Sequence, residues 1–156
     1  MISAYIGIDP GQKGGIAILR NNKPPFVKAM PIVEDTVDGY ALATYLRSTL
    51  YDDVIGMLPC KAWIEKLWGV PGWSSKALFN YGENYGALKG VLSALAIPFD
   101  TVAPRTWKQK ILEDSNATKT ASLEYCYKNF PDLEIGKHDG KSDSLCIARY
   151  GISITA

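Results

Sequence analysis

The chain is organised around residues Ala4–Gly11, AYIGIDPG, a short apolar run that ends in an aspartate and a turn. A run of this length bounded by Pro and Gly predicts a buried strand. A buried aspartate costs roughly several kcal/mol unless it is paired or holds a metal, so we expect a cationic partner for Asp9. The alternative is that Asp9 accepts turn hydrogen bonds from its own backbone. Gly14 and Gly15 tighten the turn, and residues 16–19 predict a second strand that returns antiparallel.

Composition predicts one domain with a substantial core, because the 156 residues are 47% hydrophobic. The formal net charge of +1 neither indicates nor excludes a nucleic-acid binder. Setting aside the four acids assigned below to a metal site leaves 12 acidic residues against 17 basic ones, a balance of +5. The remaining surface is therefore predicted to be mildly basic.

The cysteines and the N-terminus predict a location inside the cell. Cys60, Cys126 and Cys146 are odd in number and form no CxxC pair, which argues against a disulfide framework and favours a reducing cytoplasm. No basic leader precedes the first strand, and no apolar run approaches the roughly 18 residues of a membrane span. We expect a soluble protein with no membrane partner, with an organelle or a virus-infected host cell left open.

The order of predicted elements favours an α/β layer fold with a mixed sheet. A third strand follows at 26–30, and the strand at 60–65 is expected to pair in parallel with the first, because a helix lies between them. The remaining expectations are a helix at 39–50 capped by Asp38, a long helix at 76–95, an edge strand at 97–102, a short helix from Pro104, a helix capped by Ser115 or Asn116 that runs to 129, and a last helix at 139–150 ended by Gly151.

The long helix has a face almost without side chains, since Gly82, Gly86, Gly90 and Ala94 recur every four residues. Each interior glycine costs about 1 kcal/mol relative to alanine. A sequence that carries this cost usually needs another backbone to come close. Either the domain's own sheet or a second subunit would meet that requirement.

Carboxylates mark the candidate site. Asp9 and Glu65 each end an apolar strand, and neighbouring parallel strands would bring both to one sheet edge. Asp139 and Asp143 are four residues apart on one helix face, although an acidic first turn that favours the helix dipole is the simpler interpretation. Four acids without a His or Cys cluster suit Mg²⁺ or Mn²⁺. Two such ions would activate a water and stabilise the leaving oxygen of a phosphodiester.

Four segments together resemble the RuvC-type Holliday junction resolvases, especially their compact phage-like branch: Ile6–Gly11, Ile64–Glu65, Asn80–Leu88 and His138–Leu145. The resemblance covers nearly the whole chain. It implies an RNase H-like fold, a mixed five-stranded sheet flanked by helices. It also implies a homodimer that nicks opposed strands of four-way and other branched DNA with two Mg²⁺ ions per site, for which Mn²⁺ would substitute.

Carried over by position, the resemblance makes Asp9, Glu65, Asp139 and Asp143 the metal-binding acids. Many bacterial members space the last pair by three residues, whereas Gly140 occupies that place here. We therefore assign the role to Asp139. His138, beside it, would either assist proton transfer or pack before the last helix.

The resemblance also implies DNA contacts. Trp68 stands where the family has an aromatic that stacks on an unpaired base, and Trp73 shares its loop; closing over the core is the alternative for either ring. Phosphate contacts are expected from Lys13, Arg105, Lys108 and Lys119, which would otherwise form a solvated face. The dimer interface is expected at Gly82, Gly86, Gly90 and Tyr85.

Three other functions compete with this interpretation. A YqgF-like nuclease acting on RNA would share the strand-end Asp and the late Asp motif, but the Trp-bearing loop and the glycine-faced helix favour the junction enzyme. A sugar kinase or actin-like ATP-binder would need two domains, for which the chain is too short. A junction-binding module without catalysis would lack one of the acids, and all four are present.

Overall fold

The computed structural model describes residues 1–68, 71–137 and 139–155. Their strands are β1 (Ala4–Asp9), β2 (Gly15–Arg20), β3 (Phe26–Ala29), β4 (Ile32–Val33), β5 (Thr36–Val37), β6 (Tyr51–Asp52), β7 (Gly56–Met57), β8 (Cys60–Glu65) and β9 (Phe99–Val102). Their helices are α1 (Gly39–Leu50), α2 (Ser75–Ala94), α3 (Pro104–Leu112), α4 (Lys119–Asn129) and α5 (Asp139–Thr155). Within these ranges, no helix combines the length and apolarity needed to cross a membrane.

The main sheet has five strands in the order β3-β2-β1-β8-β9. The first three strands are antiparallel, and β8 pairs in parallel with both β1 and β9. This confirms the mixed sheet and the parallel pairing of the two acid-bearing strands. The strand that follows Pro98 lies at the edge, as expected for a segment that begins without a backbone donor.

Helices cover both faces of the sheet. On one face, Ile6 and Ile8 of β1 join a core cluster with the leucines of α1 and α2. On the other face, Trp63 of β8 joins a second cluster with Trp107 of α3 and with buried residues of α4 and α5. Alternate residues of a strand point to opposite faces. The even-numbered residues of β1 therefore join the first cluster, while its odd-numbered residues face α5.

The backbone of α5 lies directly on β1 and β2, because glycines at the contact carry no side chain. A Cβ on Gly7 would come within 3.0 Å of the Ala148 Cα, and a Cβ on Gly15 within 2.8 Å of the Lys141 nitrogen. We had expected such close approach at the glycines of α2. The structure has it at the hairpin and at α5, where it fixes the last helix over the ends of the central strands.

Helix α1 begins as predicted, because the Asp38 carboxylate accepts a hydrogen bond from the Ala41 nitrogen at 2.9 Å. Helix α4 begins later than predicted, with Thr118 rather than Ser115 or Asn116 at its N-cap. Asp114 explains the delay, since its side chain accepts from the Asn116 nitrogen at 2.9 Å and its carbonyl from the Ala117 nitrogen at 3.1 Å. These bonds form a separate turn before the helix.

Helix α5 continues through Gly151 to Thr155, so the predicted C-cap at Gly151 is wrong. A Cβ at Gly151 would collide with the Trp63 ring, and the glycine therefore serves packing. After α1, residues 51–57 form a small hairpin in which Tyr51 pairs with Met57 and Asp52 with Gly56.

The glycine face of α2 does not contact the domain's own sheet. Within the described chain, no atom lies within 4 Å of a Cβ built on Gly82, Gly86 or Gly90 beyond the immediate helix. Phe79, three residues before Gly82, is 71% exposed and heads the same stripe. Tyr85 instead packs partly against the core on the sheet side of the helix.

Candidate active site

Three of the predicted carboxylates, those of Asp9, Glu65 and Asp143, line one cleft of about 690 Å³. They come from β1, β8 and α5. The described lining comprises these acids with Pro10, Gly11, Lys13, Gly14, Trp73, Tyr81, Pro104, Lys108 and Lys119. The structure thus brings together acids that are far apart in sequence.

Strand register explains why Asp9 and Glu65 meet. The parallel pairing sets Gly7 opposite Trp63 and Ile8 opposite Ile64, so Asp9 and Glu65 end adjacent strands at the same level. Both occupy odd-numbered positions, which face α5 rather than α1 and α2. A shift of one residue in either strand would turn its carboxylate to the wrong face.

Asp143 reaches the cleft from the first turns of α5. Its Oδ1 accepts a hydrogen bond from the hydroxyl of Ser122 on α4 at 2.5 Å. Ser122 is buried, and its oxygen lies 3.3 Å from that of Ser142. A carboxylate held by a buried hydroxyl has fewer rotamers open to it, so α4 stabilises the orientation of this acid.

Glu65 is held by the indole of Trp107, whose Nε1 donates to Glu65 Oε2 at 2.7 Å. Burial raises the pKa of the Glu65 carboxyl, and the nearby charge of Asp143 raises it further; the Trp107 bond and the charge of Lys108 act in the opposite direction. The ionised form is therefore less favoured here than in water, and a cation bound in the cleft would favour it.

Three of the four predicted phosphate contacts, Lys13, Lys108 and Lys119, line the same cleft as the acids. Lys108 donates to the Ala117 carbonyl at 3.1 Å, which ties α3 to the turn before α4. Arg105 lies outside the cleft lining, where its guanidinium donates to Asn116 at 3.4 Å. Mixed charge of this kind suits a site that must attract a phosphate backbone and hold cations.

The two tryptophans of the loop after β8 occupy different places. Trp73 lines the cleft, is 39% exposed and makes an edge contact with Tyr81, with ring centroids 5.0 Å apart. Trp68 is 58% exposed outside the cleft lining, with the Lys66 ammonium 4.3 Å from its ring centroid. Neither ring is buried in the core, whereas the ring of Trp63 is.

Two predicted residues lie beyond this description: His138 and the side chain of Asp139 are outside the described part of the chain. Among the side chains that are described, no three His, Cys, Asp or Glu groups form a ready-made metal cluster. The donors that do line the cleft are carboxylates, which fit oxygen-preferring cations.

Sequence reasoning did not identify Trp107, Ser122 or Tyr81 as residues that contact the acids or line the cleft. A signal existed for Trp107, because it immediately precedes the predicted phosphate ligand Lys108 on a short helix. No sequence signal distinguished Ser122 from an ordinary helical serine. For Tyr81, burial and the charges of Glu65 and Asp9 raise the pKa of the phenol.

Comparisons with known proteins give structural matches. No protein-family model and no curated protein sequence matches the chain. Thermus thermophilus RuvC aligns with 98% of this chain and 98% of its own, at 17% identity and a TM-score of 0.63. T. thermophilus RuvC in complex with Holliday junction substrate aligns with 94% of this chain and 90% of its own, at 14% identity and a TM-score of 0.66. The chain therefore has the RuvC fold, an RNase H-like arrangement, as the sequence predicted.

Proposed function

We propose that this chain is a metal-dependent endonuclease that resolves four-way and other branched DNA junctions by paired nicks on opposed strands, in recombination and repair. The observation that carries the proposal is the convergence of Asp9, Glu65 and Asp143 in one lysine-lined cleft. The shared fold with a RuvC solved in complex with Holliday junction substrate supports the choice of substrate.

The donor set fits Mg²⁺, with Mn²⁺ as a substitute and two ions per site. Carboxylates are the described metal-ligating side chains in the cleft, and hard cations prefer oxygen ligands. The raised pKa of Glu65 fits as well, because a cation would offset both its burial and its repulsion from Asp143. Asp9, Glu65 and Asp143 would hold the metal, with Asp139 as the fourth acid. When bound, Mg²⁺ activates a water and stabilises the leaving oxygen of a phosphodiester.

The cleft lysines and the two loop tryptophans bind and orient the DNA. Lys13, Lys108 and Lys119 attract and position phosphates, which fixes the register of the duplex without reading its sequence. Trp68 and Trp73 offer exposed ring faces for unpaired bases near the branch point, where stacking contributes about 1–3 kcal/mol per base. His138, beside Asp139 in sequence, is proposed to assist proton transfer.

We further propose a homodimer through α2. A junction is nearly two-fold symmetric, and two opposed cuts need two sites related by a similar axis. Gly82, Gly86 and Gly90 leave a bare, solvent-facing stripe headed by the exposed Phe79. Small residues would let two helices approach closely while Phe79 supplies apolar area.

A cleavage assay tests the proposal. Purified protein is incubated with a labelled mobile four-way junction, the matching linear duplex and a structured RNA, in Mg²⁺, Ca²⁺ or EDTA. Symmetric nicks on the DNA junction in Mg²⁺ alone are expected. Cleavage of the RNA instead would favour a YqgF-like activity, and binding without cleavage a junction-binding module.

The acids provide the matched variants. Asp9→Asn is expected to abolish cleavage and to leave junction binding within about two-fold, because it removes metal charge without removing lysine or aromatic contacts. Glu65, Asp139 and Asp143 should behave alike. Asp132→Asn, an exposed aspartate outside the cleft lining, is the control and should cut normally. Retained cutting by Asp9→Asn would remove Asp9 from the site.

A further inference from the structure

Behind the carboxylate that ends β8 stands a buried tryptophan. Trp107 has no exposed surface, and its Nε1 donates to Glu65 Oε2 at 2.7 Å. An indole N–H is a donor only, and a buried donor without an acceptor costs about 1–3 kcal/mol. The bond therefore has one possible direction, and the ring cannot turn away from Glu65 without losing it.

The local sequence explains why α3 places the Trp107 ring beside Glu65. In the parallel pairing of β8 with β9, Glu65 is level with Val102, and Pro104 starts α3 two residues later. Trp107 then falls on the side of α3 that packs against Trp63 and Leu145 in the core cluster beneath α5. The ring is fully buried in this cluster, and its N–H meets the Glu65 carboxylate at the end of β8.

We infer that Trp107 is a positioning residue for Glu65: its N–H holds one carboxylate oxygen and thereby fixes the orientation in which Glu65 binds the divalent metal ion. The inference rests on the proposed function, since it assigns to Glu65 the role of a metal ligand. It adds a residue that the four-acid pattern did not contain.

The chemistry of the donor suits this task. A glutamate has three side-chain torsions, and at a half-buried strand end nothing else in the described contacts of Glu65 restrains its carboxylate. The indole is neutral, so it orients the carboxylate without cancelling the negative charge that a cation needs. Its hydrogen bond uses Oε2 alone and leaves Oε1 of Glu65 available to a metal ion. Hydrogen bonds to metal ligands act in this way, and their loss typically costs about 10- to 100-fold in metal affinity or activity.

Trp107 also fills space in the core, so the test must separate its ring from its N–H. Trp107→Phe removes the donor and shrinks the ring. Benzothienylalanine in place of Trp107 keeps a ring of nearly the same size and replaces the N–H by sulfur. Trp63→Phe is the matched control, because Trp63 is buried in the same cluster and lies on the same strand as Glu65. Among the described hydrogen bonds, the Glu65 carboxylate accepts from Trp107 and not from Trp63.

The first measurement is the ¹⁵N–¹H spectrum of the indole groups, one signal for each of the four tryptophans. Trp107→Phe identifies the Trp107 signal by its loss. In wild-type protein this signal is expected to be protected from solvent exchange and to move both in Glu65→Ala and on titration with Mg²⁺. The exposed Trp68 should exchange rapidly. If the Trp107 signal does not shift in Glu65→Ala, the inference is overturned.

The second measurement is calorimetric binding of Mn²⁺ alone, with thermal melts for each variant. Both changes at position 107 are expected to weaken Mn²⁺ binding about 10- to 100-fold, while Trp63→Phe lowers the melting temperature but binds Mn²⁺ within about two-fold of wild type. If the benzothienylalanine protein binds Mn²⁺ as tightly as wild type, Trp107 only fills space. The inference about Trp107 then fails, while the proposed function stands. If wild type itself binds no Mn²⁺, the proposed function fails.

Discussion

The main chain of Gly140 on α5 lies directly against that of Gly14 in the turn after β1. A Cβ on Gly140 would come within 2.8 Å of the Gly14 Cα and 2.6 Å of its carbonyl carbon. This contact bears on the proposal that Asp139 is the fourth acid. A carboxylate three residues before Asp143 would need a side chain at position 140, where the turn leaves no room, so that position is closed to an acid.

Gly140→Ala is therefore expected to push α5 away from the turn and to lower stability by about 1–3 kcal/mol, the usual cost of overfilling a packed contact. For a domain of this size each kcal/mol corresponds to about 2–4 °C in melting temperature. Gly39→Ala is the control, because a Cβ there would meet Val91 Cγ2 at an ordinary 3.4 Å. If Gly140→Ala melts at the wild-type temperature, the turn after β1 can move aside for the added methyl group at little cost, and the expected loss of stability is wrong.

The buried carboxylate of Glu65 predicts a pH-dependent stability. Its pKa is raised from 4.5, chiefly by burial and also by Asp143, so the folded state binds this proton more tightly than the unfolded state. The stability it contributes is present below the ordinary pKa of Glu and is lost as pH rises through the raised pKa. In EDTA, Glu65→Gln should therefore melt above wild type at neutral pH, and the gap should close near about pH 4.

The control for this comparison is Glu134→Gln, at an exposed position, which should track wild type at every pH. Added Mg²⁺ should raise the melting temperature of wild type more than that of Glu65→Gln, because a ligand of the native state stabilises it in proportion to its binding. A Glu65→Gln protein less stable than wild type in EDTA at neutral pH would contradict the assignment.

Trp68 is expected to act on the substrate rather than on the fold. Because its ring is exposed outside the cleft lining, Trp68→Ala should leave the melting temperature unchanged. It should lower cleavage of an intact junction more than cleavage of a pre-opened one, since stacking helps hold an unpaired base. Trp68→Phe, which keeps a ring, should lose less. Equal losses on both substrates would rule out the stacking role.

The glycine face of α2 gives opposite expectations for a monomer and a dimer. In a monomer, Gly86→Ala should stabilise the exposed helix by about 1 kcal/mol. In a dimer with close helices, Gly86→Leu should dissociate the subunits without unfolding them, because that face touches nothing else in the described chain. Ala87→Leu, exposed on a neighbouring side of the helix, should remain dimeric.

Light scattering decides between these states and comes first. A wild type that is monomeric at micromolar concentration, alone and on junction DNA, would refute the dimer. Paired nicking would then require two separate monomers.

Most of the fold could be predicted from local signals. The apolar run before Asp9, the cap at Asp38 and the strand that ends at Glu65 all depend on neighbours in sequence, and the structure confirms them. The meeting of Asp9 and Glu65 also followed, because parallel strands bring equivalent ends to one edge.

The remaining features depend on contacts between distant elements. Trp107 and Glu65 are 42 residues apart, and Ser122 and Asp143 are 21 apart, so neither bond leaves a local pattern. Gly151 was predicted to end a helix because glycine usually does, but only the position of the Trp63 ring shows why glycine is needed there. The glycines of α2 gave the same ambiguity, since a bare face does not say what approaches it.

The order in which the acids occur along the chain has a consequence for biosynthesis. Asp9 and Glu65 are synthesised well before Asp143, which lies on the helix whose backbone rests on β1 and β2. A nascent chain that has not yet docked this helix has two of the three described carboxylates and no closed cleft. If the chain is the nuclease proposed above, it would complete its set of acids, and so acquire its activity, only once α5 has docked on the sheet.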